Sequence, residues 1–233
     1  MTLEELRTYV RAVVELDDTD LPDAVLNVWL RDAFNRVLSM EGRWPFLEFE
    51  AGLTATPLQR QYNLSAIGGG VFREIVEVID IGAFGNGMRL QYVEHEHARG
   101  MYVGVHDVPG QPYWYSKSGA AIHLWPMPQD AHQYLVAGYR KPVDWIAAGA
   151  ATPPDCDDRL HLPLADWALA RYFQSQEDTE MSQLYERAFK DGARLARDDI
   201  MRVHQDRPLI LNRGWPNPSM QAWLQSIGRR QPW

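Results

Sequence analysis

Apolar positions in the first 45 residues recur with the period of a helix. Thr2 and Glu5 have capping-box spacing, and Leu3, Leu6, Val10, Val13 and Val14 follow as a stripe. Asp20-Leu21-Pro22-Asp23 restarts a helix with Pro near its first turn, and Val25, Val28, Trp29, Ala33, Val37 and Leu38 carry an apolar face to about Met40. Gly42 and Pro45 end it. From Phe46 to about Pro154 the period falls to two. Leu47 and Phe49 alternate with Glu48 and Glu50, and 73–81, 89–93, 111–117, 121–125 and 133–139 read as further short strands. Gly68-Gly69-Gly70, Gly85-Asn86-Gly87, Ser118-Gly119 and 126–130 supply turns, and 94–101 reads as one or two helical turns. After Pro153-Pro154 helices return. One runs from about Pro163 to Gln176, with Leu164, Trp167, Ala168, Arg171 and Tyr172 on a face. The next runs from Asp178 as N-cap to about Val203, with Met181, Leu184, Ala188, Leu195, Ala196 and Ile200 as its stripe.

An amphipathic helix pair cannot bury both of its faces, so the two pairs are expected to join. The expected fold is α+β: a helical bundle from residues 1–45 and 155–206, with an antiparallel β-domain (small sandwich or open barrel) inserted at 46–154. Residues 207–233 form an extended C-terminal tail. In that tail Asn217, Pro218 and Gly228 frame a short helix, and Met220, Trp223, Leu224 and Ile227 share one face. A helix of about ten residues does not hold itself together in water, so that face requires another surface.

Charge sharpens the contrast between tail and body. The chain is net −8 and the tail, with Arg207, Arg213, Arg229, Arg230 and no acid, is +4, which leaves −12 on residues 1–206. An acidic body argues against gripping nucleic acid through its phosphates. No run of about 18 apolar residues predicts a membrane span, and MTLEELRTYV lacks the basic start and apolar stretch of a secretion signal. A single cysteine, Cys156, excludes an internal disulfide.

Candidate chemistry is sparse. Glu94-His95-Glu96-His97 with His106-Asp107 is the best metal candidate, but two-residue spacing splays His95 and His97 apart on a helix, and no recognised ligand spacing is present. Solvated surface residues are the favoured reading. The glycine triplet lies between β segments and carries no phosphate-loop partner. No nucleophile motif occurs, so the expectation is a protein that is not an enzyme and has no catalytic, metal or cofactor site. Nine Trp residues favour contact surfaces instead. Trp44-Pro45-Phe46, Tyr113-Trp114-Tyr115 and Trp125-Pro126-Met127-Pro128 are core lids or contact anchors, and Trp29 and Trp167 read at least as readily as core as they do as contact groups. The candidate partner-binding residues are Trp215, Met220, Trp223, Leu224, Ile227, Arg229, Arg230 and Trp233.

The layout resembles the head-to-tail adaptor (connector) proteins of tailed bacteriophages. The resemblance rests on the helical pair ending in Gly42-Arg43-Trp44-Pro45-Phe46, on residues 122–128 followed by Val136-Ala137-Gly138-Tyr139-Arg140-Lys141-Pro142, and on Leu160-His161-Leu162-Pro163-Leu164 with Ala168-Leu169-Ala170-Arg171. It covers most of residues 1–206 as an order of elements. It implies a virion protein of the neck, assembled in the host cytoplasm: a ring of twelve subunits beneath the portal. Such a ring extends the DNA channel and offers a platform to a tail or nozzle protein, and DNA passes through without specific binding. Another neck, tail or baseplate component is the nearest alternative. A carbohydrate- or ligand-binding β-sandwich using Trp114 or Trp125 is a second.

Overall fold

A computed structural model describes residues 1–82, 87–102 and 108–206. Among them the chain forms two compact units, 1–47 with 142–206 and 48–141. The fold is α+β.

The helical unit begins with α1 (Leu3–Val14), closed by both arms of the predicted capping box: the Glu5 N–H donates to Thr2 Oγ1 at 3.2 Å, and the Thr2 N–H donates to Glu5 Oε2 at 2.9 Å. Leu3, Leu6 and Val10 are buried, while Val13 reaches the surface. Helix α2 (Asp23–Met40) starts directly after Pro22. Its buried face is Leu26, Leu30, Ala33, Phe34 and Val37: Ala33 and Val37 of the expected stripe are buried, Trp29 and Leu38 are half-buried, and Leu26, Leu30 and Phe34 turn inward where Val25 and Val28 were expected. Val28 is 63% exposed. Both sets have helical spacing, and only the neighbouring helices decide which of them turns inward. Arg7, itself buried, joins the pair: its guanidinium donates to Asp23 at 2.6 Å and to Asn27 Oδ1 at 2.7 and 3.1 Å.

A short helix, α4 (Trp145–Ala148), precedes α5 (His161–Ser175) and α6 (Thr179–Asp206). Helix α5 packs on α1, α2 and α6, which explains why it is apolar on most sides. Trp167 on α5 is buried as expected; its Nε1–H donates to Asp32 Oδ2 at 2.8 Å, and Arg36 and Arg171 stack over its ring at 4.1 and 4.3 Å. Asp178 caps α6 by accepting from the Met181 N–H at 3.0 Å. The face α6 buries is Phe189, Ala193, Ala196 and Ile200. The expected stripe is again partly wrong: Leu184, Ala188 and Leu195 are exposed, and only Ala196 and Ile200 of that set are buried.

The β unit has two four-stranded sheets. One has the order β1 (Glu48–Thr54), β8 (Gln133–Arg140), β3 (Phe72–Asp80), β4 (Met88–Arg89). The other has the order β2 (Gln61–Asn63), β7 (Ala121–Trp125), β6 (Trp114–Ser118), β5 (Gln91–Tyr92), with β5 and β6 parallel and every other pair antiparallel. Neither sheet closes into a barrel. Leu53, Tyr62, Val78, Ile122, Leu124 and Val136 from both sheets share one core. Gly138 is required where β8 pairs with the irregular stretch of β3: a Cβ there would lie 2.0 Å from the Glu74 carbonyl oxygen. Strand β2 has no counterpart in the sequence reading, because three residues with one apolar side chain, Tyr62, carry no period. The Gly85-Asn86-Gly87 turn falls mostly outside the described residues.

Candidate functional site

Residue patterns in each unit define one surface of interest. In the β unit, α3 (His95–Tyr102) lies against β6 and β7, with Ala98 and Met101 packed on Trp125 and Trp114. Beneath it the fully buried Ser116 hydroxyl accepts the Trp125 Nε1–H at 2.8 Å, and His95 Nδ1 sits 3.1 Å from the same oxygen. The His95 ring leans on His123 with centroids 4.4 Å apart, and Arg60 lies over Trp125 at 4.1 Å. Burial, aided by His95 and Arg60, holds His123 below the ordinary histidine range. A buried hydroxyl cannot reach a substrate, so this cluster anchors α3 rather than performing chemistry. His97 is exposed and apart from it, and His106 and Asp107 lie outside the described residues. The structure therefore does not assemble the predicted metal candidate among the described residues.

The aromatic loops divide by role. Trp44 is fully buried and stacks on Phe46 at 5.2 Å; Trp125 is fully buried too. Both are core groups. Tyr113 is exposed and meets the half-buried Trp114 edge-on at 4.6 Å, with the Trp114 Nε1–H donating to Gln91 at 3.1 Å. With Trp125 inside, the sugar-stacking alternative loses one of its two named rings.

In the helical unit the surface centres on Asp166 of α5. The carboxylate is half-buried and has no hydrogen-bond donor or cation beside it among the described residues. Burial alone pushes its pKa up to about 6. Leu162, one turn earlier on the same face, is 53% exposed. Phe173, farther along that side, stacks on Tyr185 of α6 at 5.5 Å. The Tyr185 phenol is itself raised by burial and by the nearby Tyr9 and Asp166. Round α6 runs the second apolar stripe, Leu184 (55% exposed), Ala188 and Leu195 (65% exposed). Sequence reasoning passed over Asp166, although a lone acid inside LHLPLADWALA was the available signal. Trp215, Met220, Trp223, Leu224, Ile227, Arg229, Arg230 and Trp233, together with the tail helix they define, lie outside the described residues.

Among the described residues the surfaces that stand out on this α+β chain are apolar and aromatic. The family comparison says what kind of protein carries them. Residues 1–211 match the family described as SU10 adaptor protein, and the chain belongs to it, a family of tailed-phage head-to-tail adaptors. It is thus a structural component of the virion, consistent with the resemblance drawn from residues 1–206. The match stops at 211, so most of the basic tail lies beyond it. No curated protein matches the chain.

Proposed function

We propose that this adaptor forms a ring beneath the portal at the neck of the particle, assembled in the host cytoplasm, and that twelve copies extend the DNA channel and receive a tail or nozzle protein. The observation that carries the reading is the adaptor-family match over residues 1–211. The charge distribution supports it physically. A body of −12 has like charge to DNA and lowers its adhesion, whereas a basic lining would hold DNA with an affinity falling steeply with salt. DNA passes through without specific binding.

The tail is the portal-binding segment in this proposal. Met220, Trp223, Leu224 and Ile227 dock as an amphipathic helix in an apolar groove, flanked by Trp215 and Trp233. Trp223 contributes about 2–4 kcal/mol, as buried hot-spot aromatics do. Arg229 and Arg230 orient the approach and raise the encounter rate against an acidic rim. The test is deletion of residues 207–233 followed by portal binding and electron microscopy of the product. Loss of portal binding is expected; assembly on the portal with unchanged affinity rejects the docking role of the tail.

A further inference from the structure

We infer that Asp166 is the acceptor of an intersubunit ion pair, and that its partner is Arg187 of a second copy of this chain. The inference rests on the ring reading above and deepens it by naming two faces that meet.

Asp166 is a half-buried carboxylate near Tyr185, one helical turn after the exposed Leu162, with nothing to neutralise it among the described residues. An unpaired, partly desolvated charge is unfavourable in an isolated subunit, and a guanidinium is the group that relieves it: planar and weakly hydrated, it packs on aromatic rings while donating to a carboxylate. Helix α6 carries the complementary charge, exposed to solvent. Lys190, Arg194, Arg197 and Arg202 each hold a carboxylate, whereas Arg187 has no acidic partner among the described residues. It stands beside the exposed Leu184, Ala188 and Leu195 stripe, so a contact made by Arg187 also covers apolar surface.

The two groups cannot meet within one copy. Tyr185, which lies beside Asp166, and Arg187 are two residues apart on α6, roughly 200° round the helix. A second copy brings the two groups together, because every copy carries one carboxylate face and one arginine–leucine face. Two different faces make a head-to-tail contact, the type that repeats and can close into a ring.

The experiment is sedimentation velocity on the full chain over its accessible concentration range, comparing wild type, Asp166→Arg, Arg187→Asp and the double exchange. Each single exchange is expected to weaken self-association about tenfold or more, and the double exchange to restore most of it. Should Asp166→Arg fail to fold, Asp166→Asn paired with Arg187→Gln carries the test, each being expected to weaken association. Single variants that associate like wild type overturn the inference, as does a double exchange no better than either single, or a wild type that stays monomeric throughout. Loss of self-association on adding a peptide of residues 207–233 overturns it too, because the tail would then occupy the face. Rings of wild type on the portal that persist in both single variants sink this inference and leave the ring reading standing. No ring of wild type on the portal sinks the ring reading itself.

Discussion

Replacing Asp166 with Asn should make the isolated subunit more stable at neutral pH. In the folded chain burial raises this carboxyl from an ordinary 3.8 to about 6. Between those values the folded state holds a proton that the unfolded state has released, so stability falls as pH rises through the window and stays low above it. A carboxyl displaced from 3.8 to about 6 sets a ceiling of ~3 kcal/mol. The group is only about half desolvated, and solvent screening reduces the effect to about 1 kcal/mol. The Asn amide resembles the protonated acid and carries no charge at any pH, so the variant lacks this term. Urea unfolding of wild type and Asp166→Asn, at concentrations low enough to keep subunits apart, reads it directly. The two should be equal near pH 3.5, diverge through pH 5 and differ by about 1 kcal/mol above pH 6.5, or roughly 3 °C in Tm for a chain of this length. A difference that does not change with pH, or an Asn variant less stable at pH 7.5, would mean that the carboxylate has a partner in the folded subunit and that the reasoning is wrong.

Four further outcomes follow from the same structure. Ser116→Ala leaves the Trp125 indole N–H without its buried acceptor and should destabilise the β unit by about 1–3 kcal/mol, with faster hydrogen exchange in α3 as the local signature. Gly138→Ala places a methyl group inside the Glu74 carbonyl and should cost about 3 kcal/mol, seen as a lowered midpoint for the β unit in denaturation. Because burial holds His123 below its ordinary range, its contribution to stability is present at neutral pH and is lost as pH falls through 6.5; His123→Gln should flatten that part of the acid-denaturation profile. Leu195→Glu should leave the melting of an isolated subunit within about 0.5 kcal/mol of wild type, since the side chain is mostly in water, and should impair self-association in sedimentation.

Much of the fold was legible because local signals and tertiary packing agree. The Thr2–Glu5 box, the restart at Pro22-Asp23 and the Asp178 cap depend on a few adjacent residues, and α1, α2 and α6 begin where those residues place them. Strands at 73–80, 121–125 and 133–140 follow from runs of Val, Ile, Leu and aromatic residues. What the sequence did not reveal is which way an amphipathic helix turns when it has more than one apolar stripe. Helix α2 carries Leu26–Leu30–Phe34 beside Val25–Val28, with Ala33 and Val37 buried as expected, and α6 carries Phe189–Ala193 beside Leu184–Ala188–Leu195, with Ala196 and Ile200 buried as expected. Spacing is equally helical in both sets. The choice is made by the packing around each helix: Phe189 of α6 lies against Trp167 of α5, and Phe34 of α2 meets Trp145 of α4 edge-on.

The same ambiguity explains why the candidate site was only half readable. A stripe assigned to the core is not searched for partners, so Leu184 and Leu195 were absorbed into the bundle and Arg187 between them went unweighed. Asp166 escaped for the opposite reason: an isolated acid in an apolar helix looks like a solvated surface position until burial is known. Once the burial is known, the two omissions have one explanation. A subunit built to stand alone would pair its half-buried carboxylate and turn its leucines inward, because each alternative is unfavourable by an amount comparable to a tenth of a typical domain's stability. A subunit built to stand beside copies of itself leaves those groups unmatched, and the free energy they withhold from folding becomes available to association. On that reasoning the unmatched carboxylate and the outward leucines are one feature of an adaptor seen from its two sides.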